Sequence, residues 1–141
     1  VSGAAEKSGQ RIHVTGYQFG WKFTYLNAGM DIKDSPDLVV PVDEPILFEI
    51  TTMDVMHSFW VPAWRIQMSA TPAQVNTVTV TPTKIGSYDL VCAFLCGSGH
   101  TQMNSAVTGG LVKKVRVVSQ ADFAKWAADT KAAQSAAGST Q

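Results

Sequence analysis

No stretch of this sequence is long enough in apolar residues to cross a membrane, and no segment carries a strong charge of one sign. The longest apolar stretches, such as Val39–Val42 and Val115–Val118, fall far short of the roughly 18 residues that a spanning helix needs. Eleven basic and eleven acidic side chains cancel. No basic stripe is left to neutralise phosphates, which excludes nucleic acid as the main partner. Charged residues make up 16% of the chain against 45% hydrophobic ones, a balance that excludes extended disorder. Neither an initiator Met nor a basic-then-apolar leader opens the sequence. The chain is therefore expected to be a processed or trimmed product, with an anchor upstream. Cysteine is scarce too: Cys92 and Cys96 are the only two. Thiols four residues apart suit a disulfide or a metal site, and composition does not choose between them.

What is present reads as one β-rich domain of 141 residues with a helix at its end. Arg11–Leu26 mixes β-branched and aromatic residues, among them Ile12, Val14, Tyr17, Trp21, Phe23 and Tyr25, and alternates best from Tyr17 onward. Asn27–Pro36, with Asn27, Gly29, Asp34 and Pro36, reads as a loop. Ile46, Phe48 and Ile50 alternate with Leu47, Glu49 and Thr51, and Val78 and Val80 alternate with Thr77, Thr79 and Thr81. Each pattern predicts a half-buried strand. Lys84-Ile85-Gly86 is a turn into Tyr88, Leu90 and Cys92, and Leu111–Val118 is the last strand. From Ser119 the pattern becomes helical: Ser119 is the N-cap, Asp122 a first-turn acid, and Phe123, Trp126 and Ala127 form a short apolar stripe. Ala132–Gln141 is expected to fray. No internal repeat is evident. Strands with Gly/Pro turns about every 8–12 residues predict an all-β sandwich or barrel at 1–118, with the helix and tail at 119–141.

The chemistry concentrates between Cys92 and Met103. Cys92, Cys96, His100 and Met103 follow one another at spacings of four, four and three. Thiolate, imidazole and thioether together are the ligand mixture of copper electron-transfer sites. No acidic side chain lies in the segment, which argues against calcium or magnesium, and zinc sites rarely recruit Met. Gly97 and Gly99 let the backbone turn back between Cys96 and His100. One short loop cannot surround a metal, so a further ligand comes from elsewhere. His57, after the Ile46–Thr52 strand, is the candidate among three histidines, whereas His13 has no ligand-type neighbours. An upstream His at a strand end followed by a late Cys–His–Met loop is the cupredoxin pattern. The fold class predicted is therefore a cupredoxin-like Greek-key β-sandwich or barrel with a C-terminal helix.

Two segments, Asp54-Val55-Met56-His57-Ser58-Phe59-Trp60-Val61-Pro62 and Cys92-x3-Cys96-Gly-x2-His100-x2-Met103, resemble the ligand segments of cytochrome c oxidase subunit II. The resemblance extends to Gly16-Tyr17-Gln18-Phe19-Gly20-Trp21 and Gln67-Met68-x3-Pro72, and so covers about Gly16 to Val118. It implies a dinuclear copper centre, two copper ions bridged by the thiolates of Cys92 and Cys96. His57 and Met103 would complete one copper, and His100 with the backbone carbonyl of Phe94 the other. It also implies a relay subunit of a haem–copper oxidase, which accepts single electrons and does not itself reduce oxygen. The partners implied are a periplasmic donor, cytochrome c or another redox protein, and the haem-bearing membrane subunit I. The implied location is the outer face of the cytoplasmic membrane. Phe19, Trp21 and Trp60 are candidates for the electron path.

Three positions depart from the family pattern. Phe94 replaces a Glu that helps bind magnesium or manganese at the subunit I junction, which puts that ion site in doubt. Phe19 stands where the family commonly has the Trp that receives the electron from cytochrome c. Ser69 stands at a commonly acidic docking position, while Asp54 retains another. Other readings also fit parts of the pattern. These are a mononuclear blue-copper carrier or copper-delivery protein, the dinuclear copper domain of a nitric or nitrous oxide reductase, and a disulfide-stapled adhesion sandwich.

Overall fold

A computed structural model describes residues 9–17, 20–27, 29–92 and 115–139. Strand β1 (Gln10–Tyr17) and strand β2 (Gly20–Tyr25) form an antiparallel hairpin in register from Ile12 opposite Tyr25 to Tyr17 opposite Gly20. The apolar run read as one segment is thus two strands. Strand β3 (Ile32–Ser35) pairs with β2 across a register shift between Phe23 and Tyr25, so the segment expected to be a loop contains an edge strand. The physical reason is that Ile32 and Ser35 are buried while Lys33 and Asp34 face water. Packing of two residues outweighs the turn-forming composition around them.

Strand β4 (Leu38–Pro41) is buried at every position. Strand β5 (Ile46–Thr52) alternates as expected, with Ile46, Phe48, Ile50 and Thr52 inward. It lies parallel to β1 and antiparallel to β8 (Asn76–Val80). One sheet therefore runs β3-β2-β1-β5-β8. Strands β6 (His57–Val61), β7 (Ile66–Ala70) and β10 (Val91–Cys92) make a second sheet in the order β10-β6-β7. A third joins β4, β11 (Val115–Val118) and β9 (Gly86–Tyr88). The inward side chains form one core around Phe23, Phe48, Phe59, Ile12, Ile50 and Leu90. The architecture is mostly β with one C-terminal helix, as the strand pattern predicted.

Helix α1 (Gln120–Ser139) begins where the sequence places its cap: the amide of Asp122 donates to Ser119 Oγ at 3.1 Å. It continues to Ser139, within the Ala132–Gln141 stretch, whose alanines have high helix propensity. Phe123 and Trp126 pack on Tyr25 with ring centroids 6.2 and 5.1 Å away. Beneath them the Tyr25 hydroxyl donates to the Val39 carbonyl at 2.6 Å and accepts from the Val39 amide at 2.8 Å. Burial pushes the Tyr25 phenol far above its ordinary pKa, so it stays protonated and locks β2 to β4. Further along the helix, the Gln134 side-chain amide both accepts from and donates to the backbone of Lys33. It thereby covers polar groups on the β3 edge.

Candidate metal centre

The centre begins with a turn. Thr52 ends β5 with its hydroxyl facing inward. That hydroxyl donates to the Val55 carbonyl at 2.7 Å and accepts from the Asp54 amide at 3.2 Å. Such a side-chain-to-backbone turn fixes residues 52–55 without regular secondary structure. The Met53 amide adds a bond to the Gly16 carbonyl at 2.9 Å, tying the turn to the end of β1. Asp54 is thereby held with Oδ1 3.0 Å from Nε2 of His57, the first residue of β6.

His57 is fully buried, and the Trp21 indole packs against its ring. Trp21 meets it edge-on at 5.9 Å and meets Phe59 at 5.7 Å. Gly16 is opposite Trp21 in the hairpin, and a Cβ there would fall 3.0 Å from His57 Cδ2 and 3.1 Å from Trp21 Cζ3. Only a residue without a side chain lets imidazole and indole approach the β1 backbone this closely. The Asp54 carboxylate is an acceptor, so Nε2 carries the hydrogen. In the neutral ring Nδ1 then holds the lone pair. A carboxylate holding one ring nitrogen so that the other can ligate is the usual support of a metal-binding histidine.

The other described element is β10. Cys92 lies opposite Phe59, and Val91 opposite Trp60. Because β10 is antiparallel to β6, the chain arrives at Cys92 running toward the His57 end. The topology thus brings the first cysteine position within two residues of the register of His57. Phe19, the Cys92 side chain, Phe94, Cys96, His100 and Met103 lie outside the described residues. Among the described residues no group of three or more His, Cys, Asp or Glu side chains converges.

Of the aromatic candidates, Trp21 is in contact with His57, whereas Trp60 occupies an alternate position of β6, opposite Gln67 and Val91. The Trp21 indole nitrogen is buried without a hydrogen-bond partner among the described residues. His13 is partly exposed, 3.9 Å from Glu49, and separate from this cluster. Ser69 faces Ser58 across β6 and β7. Sequence reasoning treated Asp54 as a docking position and missed its bond to His57. The i, i+3 spacing beside Thr52, a turn-former, was the available signal.

The model of the family described as the periplasmic domain of cytochrome c oxidase subunit II matches residues 29–109. The chain is 40% identical over 96 residues to cytochrome c oxidase subunit 2 of Thermostichus vulcanus, covering 68% of this chain and 28% of that protein. It therefore spans well under half the length of that relative. The crystal structure of the periplasmic domain of cytochrome oxidase subunit II from Bradyrhizobium japonicum superposes with a TM-score of 0.73 at 27% identity. That match covers 89% of this chain and 95% of the other. A second structure, a mixed disulfide between a thioredoxin-like protein and subunit II of cytochrome c oxidase, superposes with a TM-score of 0.71 at 29% identity. It covers 89% and 93% of the two chains.

Proposed function

The chain belongs to the family of the periplasmic domain of cytochrome c oxidase subunit II, and from that premise we propose that it holds a dinuclear copper centre relaying electrons to a haem–copper oxidase. The observation that carries this reading is the buried His57, held through Nε2 by Asp54 and placed beside the strand that delivers Cys92. Under it, Cys92, Cys96, His57, Met103, His100 and the backbone carbonyl of Phe94 would hold the copper pair. Bound in this way, copper supplies a one-electron couple whose charge is spread over two metals.

The chain's own residues supply the rest. Trp21, itself backed by Phe59, packs edge-on to the buried His57 ring, and a dry, rigid surround keeps reorganisation small when the charge changes. Asp54 fixes the ring orientation, so the ligand does not swing between redox states. Trp21, in contact with the ligand histidine, is the best placed of the three path candidates. The donor is a periplasmic redox protein and the acceptor a haem in the membrane subunit of the oxidoreductase. The cysteines must be reduced before they take metal, and the mixed disulfide of a related subunit with a thioredoxin-like protein fits that requirement.

Cys92→Ser tests the reading. Removing one bridge should abolish the mixed-valence optical and electron-spin spectrum of the copper-loaded chain. A variant whose spectrum matches that of the parent chain would sink the dinuclear assignment.

A further inference from the structure

Large apolar side chains are exposed unevenly over this molecule. Six are exposed among the described residues, and four of them, Met53, Val55, Met56 and Val75, follow from elements that end or begin around His57. Met53, Val55 and Met56 form the turn between β5 and β6. Val75 immediately precedes β8, whose Asn76 pairs with Ile50 near the end of β5. Asn76 also donates to the Ser69 carbonyl at 2.7 Å, drawing the β7–β8 connection to the same end. Exposures of 65% at Met53 and 57% at Val75 are high for side chains of this size. Clustering at one end distinguishes them from the scattered apolar residues any surface carries.

The charge at this end is equally specific. Between Thr52 and Val61 the only charged side chain other than the histidine is Asp54, and it is engaged by His57. Between Gln67 and Val80 there is none. The nearby cation, Lys22, lies 5.1 Å from the Tyr17 ring and 4.0 Å from Met53 Sδ. Among the described residues at this end, a lysine-rich protein would meet the His57-bound Asp54 and the positive charge of Lys22. Burying these four side chains against an apolar partner surface is favourable, and neutral surroundings remove the desolvation cost that a charged rim would impose.

We propose that Met53, Val55, Met56 and Val75 form the docking face for a protein electron donor whose own redox edge is apolar and uncharged. This rests on the copper-relay reading above and identifies the kind of donor that the relay takes. Such docking is governed by apolar contact and depends little on ionic strength, because few charges approach one another.

The test is a nuclear-magnetic-resonance titration of the isotopically labelled 141-residue chain. One probe is a c-type cytochrome whose haem edge is ringed by apolar, uncharged residues, and the other is a lysine-rich c-type cytochrome. The expected footprint of the apolar-edged probe falls on residues 53, 55, 56 and 75, with affinity changing less than about twofold between low and high salt. Val75→Lys should weaken that probe on the order of tenfold, since it buries an unpaired charge. Preferential binding of the lysine-rich probe, lost as salt rises, would overturn the proposal. So would a footprint elsewhere, the same footprint arising from self-association without either probe, or no binding at millimolar concentration. Copper content measured on the same samples reports separately on the metal reading, because the footprint does not require the metal.

Discussion

At the scale of single residues, the centre depends on two positions that do not ligate. Gly16 leaves room for the His57 ring and Trp21 to meet the β1 backbone, and Asp54 holds Nε2, which sets the ring nitrogen that would face a metal in the proposed centre. Removing the carboxylate frees the ring to turn and weakens the basicity of the ligating nitrogen. Asp54→Ala should therefore lower copper affinity by about 10–100-fold in a chelator competition, with the fold retained by circular dichroism. Unchanged affinity would show that packing by Trp21 and Gly16 alone orients the histidine. Three of the departures from the family pattern also belong to this scale. Phe94 and Phe19 lie outside the described residues, while Ser69 is on β7 opposite Ser58, next to an end of the molecule already poor in charge.

At the scale of elements, the helix serves the sandwich rather than the metal. Phe123 and Trp126 cover Tyr25, whose hydroxyl is doubly bonded to Val39 and so joins two sheets. Truncating Phe123 to Ala should lower unfolding free energy by about 3 kcal/mol in denaturant titration, while leaving the spectrum of the copper-loaded chain unchanged. A spectral change would mean that the helix and the centre are coupled. How legible each element was follows from its burial pattern. Strand β5 buries one face and β8 half-buries one, so alternation announced them. Strand β4 is buried at all four positions and has no alternation to read. Strand β3 has two buried residues separated by charge within a turn-rich segment. The hairpin was read as one run because a β pattern continues across its loop. Its break is marked only by Gly20, which pairs with Tyr17.

At the scale of the whole molecule, the mostly β architecture with its C-terminal helix was legible in the sequence, and the contacts around His57 were less so. His57 was identified from its spacing to a strand and its surrounding motif, and the structure buries it beside the strand carrying Cys92. The interactions that organise it were less legible. The Asp54 bond had only its i, i+3 spacing as a signal, and the close approach at Gly16 depends on geometry between β1, β2 and β6 that no local spacing encodes. The same is true of the exposed apolar residues, which lie in two connections far apart in sequence and come to one end because β5 and β8 pair.

The proposed relay requires a metal pair held by His57 and the cysteine segment. Its most direct test is copper stoichiometry with an electron-spin spectrum of the reduced, copper-reconstituted and reoxidised chain. A pair of coppers per chain with one unpaired electron shared between them is the predicted result. A single copper with the hyperfine pattern of one metal, or no copper retained under reducing conditions, would contradict it.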